Sequence, residues 1–226
     1  MSIFVIKIIA YMSMFVDHIK YAIPETQNFV TLYLGRIAFP LFAFLLTEGY
    51  VHTKNLKKYY TRLIIFAVIS QLPYMLFRSM IGDIWKLNIL FTLLLGLVAI
   101  HVYDKFELKI VGIAGIIICT SLGYLLHADY GWYGVLLIIV FYLLRNKKLL
   151  LTIAVLLLNY IYMMSNFNWD VNLVETTHYI TLLCMNIPMI FVLLYNGEQG
   201  KKINYMFYYL IYPVHLILLY AIYLIA

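Results

Sequence analysis

FVTLYLGRIAFPLFAFLLTEGYVH, residues 29–52, runs directly into TKNLKKYYTR, residues 53–62. The first stretch carries only two charges, Arg36 and Glu48. About 20 mostly apolar residues suffice to cross the hydrocarbon core of a bilayer as a helix. The second stretch carries Lys54, Lys57, Lys58 and Arg62. An apolar run of span length that ends in a basic cluster reads as a transmembrane helix leaving the membrane on its cytoplasmic side.

Working outward from this stretch, the same alternation recurs. Apolar spans are expected at about 3–23, 29–52, 60–78, 87–103, 110–126, 131–145, 149–165, 176–195 and 204–226, nine in all, with eight to ten as the range. Every second break is basic: after the cluster above come Lys105 and Lys109, then Arg145, Lys147 and Lys148, then Lys201 and Lys202. The intervening breaks hold two basic residues, Arg78 and Lys86, against 11 on the basic side. Positive charge is retained in the cytoplasm, so the N-terminus is expected there. The expected fold is all-α: a polytopic transmembrane helix bundle, with residues 1–226 as a single membrane domain.

The totals agree. Of 226 residues 65% are apolar and 12% charged, where a soluble domain of this length would carry about 56 charges. Mean hydropathy is +0.93. This excludes an ordinary soluble enzyme, a disordered chain, a disulfide scaffold and a nucleic-acid binder; the net charge of +6 suits an anionic leaflet instead. Cys119 and Cys184 sit in apolar runs and read as inert core residues. No small-residue cleavage site follows the first apolar run, which therefore reads as a retained helix. No HExxH, Cys cluster, GxSxG or phosphate-binding loop occurs, so no metal is expected.

Ionisable groups within apolar spans are costly, so their positions are informative. Lys7 lies near a span end and can snorkel. Asp17, His18 and Arg36 lie deeper, and Asp17 is expected to pair with Arg36, at similar depth. Glu48 and His52 stand four apart on one helix face; they make either a site or an ordinary interfacial pair. His215 falls near mid-span, two residues after Pro213. Asn88 opens the fourth span, either as a cap or as a cavity group. His127, Asp129, Tyr130 and His178 sit at outer span ends, where polar residues are cheap.

Five blocks together resemble one family. They are KIIAYMSMFVDHIKYAI, residues 7–23; GRIAFPLFAFLLTEGYVHTKN, residues 35–55; NILFTLLLGLVAI, residues 88–100; ADYGWYGVLLIIVFYL, residues 128–143; and YYLIYPVHLILL, residues 208–219. In this order they resemble the TraX family, which is similar to the broader integral-membrane acyltransferases. Asp17, His18, Gly35, Arg36, Pro40, Glu48, Gly49, His52, Asn88, Asp129, Gly131 and His215 match its blocks. Residues 150–200 carry little that matches.

The resemblance implies acetyl transfer from acetyl-coenzyme A in a bacterial cytoplasmic membrane. The acceptor it implies is the N-terminal amine of a peptide or pilin-like protein. O-acetylation of a surface or cell-wall glycan remains the enzymatic alternative; a transporter or flippase, or a non-catalytic assembly subunit, are the others. Under this reading His18 is the base, Asp17 fixes its tautomer, Arg36 holds Asp17 or stabilises the oxyanion, and His215 ranks second as base. Glu48, His52, Lys54, Lys57, Lys58, Arg62 and Asn88 are the expected coenzyme A contacts. Asp129, Tyr130 and His178 are the expected acceptor contacts.

Overall fold

The structure, a computed structural model, describes residues 1–165 and 175–225, with side chains at all of these except 29, 30, 32 and 175–178. The described residues are helical, without strands. In chain order the α-helices are α1 Ile3–Ala22, α2 Phe29–Leu34, α3 Ala38–His52, α4 Leu56–Ile69, α5 Gln71–Ser79, α6 Ile89–Lys105, α7 Lys109–Leu125, α8 Gly131–Leu144, α9 Lys148–Ser165, α10 Glu175–Asn186, α11 Pro188–Leu193 and α12 Tyr205–Ile225.

Three stretches are long and apolar enough to cross a membrane: Leu56–Ser79, Lys148–Ser165 and Tyr205–Ile225. Shorter apolar helices cover Lys109–Leu125, Gly131–Leu144 and Tyr179–Leu193. The expected span at 29–52 is broken. An Asn28–Thr31 capping box starts α2, with Asn28 Oδ1 accepting from Thr31 N–H at 3.1 Å and Thr31 Oγ1 from Asn28 N–H at 3.0 Å. A 3-10 turn at Gly35–Ile37 then separates α2 from α3.

Two packed groups build the interior. α6, α7 and α8 form one, with Leu97, Ile100, Ile138 and Phe141 almost wholly buried. α1, α3 and α12 form the other, around Ile6, Leu41, Leu216 and Leu219. α3 joins the groups by packing on α8. Outward faces are apolar too, with Val68, Ile110, Leu157 and Leu218 exposed. Such a chain keeps its few polar side chains for the interior and the helix ends, and those at the interior define the site.

Asn88 shows how a polar residue is absorbed. Its Oδ1 caps α6 by accepting Leu90 N–H at 3.0 Å, and its Nδ2 donates to the Ala67 carbonyl at 2.8 Å and to Gln71 Oε1 at 2.9 Å. The oxygen caps α6 and the amide nitrogen ties it to α4 and α5, so Asn88 acts as a cap, and it lines neither cavity.

Candidate functional site

Two cavities lie back to back at opposite ends of the α1–α3–α12 group. The first, about 370 Å³, is lined by Lys7 at the start of α1, Gly49, His52 and Thr53 at the end of α3, and Arg62 of α4. Tyr11, Tyr59, Tyr205, Tyr208, Tyr209 and Tyr212 give it an aromatic wall. The second, about 170 Å³, is lined by Asp17, His18 and Tyr21 near the end of α1, Gly35 and Arg36 before α3, Arg78 of α5, Asp129 and Tyr130 before α8, and Tyr162 of α9. Met14, Phe42, Ile89 and Tyr212 line both. Lys7 and Asp17 are ten residues apart on α1, about 15 Å along its axis.

In the first cavity the cations lie over rings. The Arg62 guanidinium is 4.8 Å from the Tyr205 ring centre and Lys7 Nζ is 4.4 Å from that of Tyr208. Arg62 lines the cavity, and its Nε is buried without a hydrogen-bond partner among the described residues. His52 Nδ1 lies 2.9 Å from the Glu48 carbonyl oxygen and 3.7 Å from Glu48 Oε2. The Glu48 carboxylate lies beside Tyr195, and Glu48 lines neither cavity. Lys54, Lys57 and Lys58 are exposed outside the chamber. Of the expected coenzyme A contacts the structure therefore brings together His52 and Arg62, and adds Lys7 and the tyrosines.

The second cavity corrects one expected contact. Asp17 does not pair with Arg36. Its Oδ1 accepts from Lys20 Nζ at 2.6 Å, one turn further along α1. Similar depth in a membrane fixes height but not direction around a helix. Gly35, the first residue of the 3-10 turn, packs on the Asp17 side chain itself, and Arg36 lines the same cavity without forming an ion pair with Asp17. Among the described residues no hydrogen bond or ion pair holds the Arg36 guanidinium, which is exposed and lines the cavity. Lys20, 6% exposed, was not among the expected site residues, although its i,i+3 spacing from Asp17 is plain in the sequence.

His18 and His215 meet. His18 Nδ1 stands 2.8 Å from His215 Nε2, and the rings are parallel to within 6°. His215 Nδ1 lies 2.9 Å from the Ile211 carbonyl oxygen. Phe77 packs on the His18 ring at 4.8 Å. Asp17, expected to orient His18, is occupied by Lys20; His215 holds the ring instead.

Asp129 and Tyr130 enter on a strained turn. His127 and Tyr130 have φ of 49° and 61°, a region that costs a residue with a Cβ about 1–3 kcal/mol. Three contacts hold the turn: Leu87 N–H to the His127 carbonyl at 3.2 Å, Asp129 N–H to the Leu87 carbonyl at 2.9 Å, and the Thr92 hydroxyl to the Asp129 carbonyl. The result stacks the Tyr130 ring on Phe39 at 4.0 Å and sets the Asp129 side chain in the cavity. His178 stands on α10, and its side chain lies outside the described residues.

These features define an all-helical protein with helices fit for a membrane and two adjoining cavities, the second of them beside a histidine pair. The chain belongs to the TraX family: residues 2–223 match the family described as TraX protein. It is similar to a Dichelobacter nodosus protein named probable fimbrial assembly protein FimC, serogroup H1, with 28% identity over 235 residues, 96% of this chain and 94% of that one. No solved structure matches it.

Proposed function

We propose that this chain is a polytopic membrane acetyltransferase that moves an acetyl group from cytosolic acetyl-coenzyme A to the N-terminal amine of a peptide or pilin-like protein. The nine apolar segments then form one membrane domain, with the N-terminus in the cytoplasm of a bacterium. The exposed apolar faces of α4, α7, α9 and α12 support this arrangement. So do the basic residues Lys54, Lys57, Lys58, Lys201 and Lys202, which adjoin in sequence the helix ends that line the first cavity.

The observation that carries the reading is the pair of cavities sharing Met14, Phe42, Ile89 and Tyr212. A cofactor with phosphates and a narrow thioester arm suits the basic, tyrosine-lined chamber, where Arg62 and Lys7 offer donors. The acceptor suits the second chamber, where His18 faces the space beside Arg36 and Asp129. An α-amine, with an ordinary pKa of about 7.7–8.0, must lose a proton as it attacks, and a neutral imidazole accepts it. Arg36, which makes no hydrogen bond or ion pair among the described residues, lines the same cavity as His18 and is available to meet the oxyanion of the tetrahedral intermediate. The family resemblance supports acyl transfer, and the name of the Dichelobacter relative favours a protein acceptor over a glycan.

The test is transfer of labelled acetyl from acetyl-coenzyme A, in proteoliposomes, to synthetic peptides with free or blocked N-termini. Label on the free peptide and its loss in His18→Ala support the proposal. Label on a glycan fraction alone replaces the acceptor, and equal activity in His18→Ala removes the mechanism.

A further inference from the structure

We infer that His215 is a positioning residue that fixes neutral His18 with its proton on Nδ1 and its lone pair on Nε2. The role in acetyl transfer rests on the function proposed above; the tautomer itself does not.

One acceptor beside the two histidines has no choice of role. The Ile211 carbonyl oxygen only accepts. His215 Nδ1, 2.9 Å from it, is therefore the N–H of that ring. A neutral imidazole has one N–H, so His215 Nε2 accepts. His18 Nδ1, 2.8 Å away, must then donate, and the lone pair of His18 falls on Nε2. One backbone carbonyl thus sets the direction of the whole chain of hydrogen bonds. His215 is 6% exposed and lines neither cavity, whereas His18 lines the second. The two histidines therefore have unequal duties: His18 meets the acceptor and His215 acts through it.

Among the described residues no carboxylate takes this place. Asp17 and Lys20 of α1 and Arg78 of α5 are the charges around His18, and α12 presents Tyr212 beside His215. Asp17 is bound to Lys20. As the amine nitrogen bonds to the thioester carbon, its proton passes to His18 Nε2. The Nδ1 proton then shifts to His215 Nε2, which spreads the positive charge over two hydrogen-bonded rings. When the carbon–sulfur bond breaks, the thiolate takes the proton from His18 Nε2, the shifted proton returns to His18 Nδ1, and both rings are restored.

The first experiment needs no substrate. Nitrogen-15 histidine spectra of the full chain in lipid, assigned by single His→Gln variants, are expected to show neutral His18 protonated at Nδ1. A His18 proton on Nε2 overturns the inference, whether or not the protein acetylates anything. The second compares His215→Gln, whose side-chain oxygen can still accept from His18 Nδ1–H, with His215→Leu, which cannot. His215→Leu is expected to lose about a hundredfold in kcat, with KM for acetyl-coenzyme A within twofold, and His215→Gln to recover at least tenfold of that loss. Equal loss in both, or none in His215→Leu, overturns the positioning role. The expected tautomer in a protein that transfers no acetyl group defeats the proposed function alone.

Discussion

Lys20 and Asp17 neutralise each other in the protein interior, with Nζ 2.6 Å from Oδ1 and side-chain exposures of 5% and 17%. Breaking a buried pair from one side is costly because it strands the other charge, while replacing both by apolar groups often is not. Asp17→Asn alone is expected to destabilise the protein by about 3–5 kcal/mol. Asp17→Leu combined with Lys20→Met should recover most of that. Thermal unfolding in detergent reads both, and a double variant no more stable than the single one would refute the assignment.

Gly35 makes that pair fit. A Cβ at this position would fall among the side-chain atoms of Asp17. Gly35→Ala is therefore expected to cost about 1–3 kcal/mol through overpacking. The loss should shrink when Asp17 is also shortened to Ala and Lys20 to Met, a coupling that a mutant cycle measures. Additive losses would show that the contact is not the cause.

Arg62 and the exposed lysines of residues 54–58 can be separated by kinetics. Arg62→Gln removes a buried donor from the first chamber and is expected to raise KM for acetyl-coenzyme A by about 10-fold or more, the scale of a hydrogen bond to a charged group. Lys54, Lys57 and Lys58 together changed to Gln lie outside the chamber and should change KM less than threefold at physiological salt. The reverse ranking would move the phosphate contacts to the surface.

Arg78 reaches the second cavity while bound to Asp83, whose carboxylate also lies 3.2 Å from Lys86 Nζ. Partial burial works against the Asp83 charge, but hydrogen bonds from Lys86 and Arg78 outweigh it and hold the carboxyl below its ordinary range. A carboxyl with a depressed folded value contributes stability above its unfolded value and loses it as pH falls through the folded one. Mild acidification from neutrality should therefore leave the clamp intact. Asp83→Asn reproduces the acid limit at neutral pH, and is expected to raise KM for the acceptor severalfold with KM for acetyl-coenzyme A unchanged. Equal shifts in both would place Arg78 elsewhere in the reaction.

The helices were readable because apolar runs of the right length have few alternatives in this composition. Asn88 could be read as a cap from its place at the head of LNILF, although the sequence alone allowed a cavity role as well. The His18–His215 contact could not be read: it joins residues 197 apart, and no local period links them. The Asp17–Arg36 expectation failed for a related reason. Depth along two helices says nothing about azimuth, and the 3-10 turn at Gly35–Ile37 has no strong sequence signature. Lys20, by contrast, was readable at i+3 from Asp17. The tyrosine wall of the first chamber was half visible, since Tyr205, Tyr208, Tyr209 and Tyr212 recur at helical spacing.

Met14, Phe42, Ile89 and Tyr212, which both cavities share, have an electrical consequence in the bilayer arrangement proposed above. Were each chamber filled with water and open to its own face, the insulating path of the membrane would shorten to the thickness of these four side chains. Most of the transmembrane voltage would then drop across them, at about 2.3 kcal/mol per elementary charge per 100 mV. An energised cell can tolerate such a protein only while this partition stays dry. Its apolar side chains thus act as a dielectric plug.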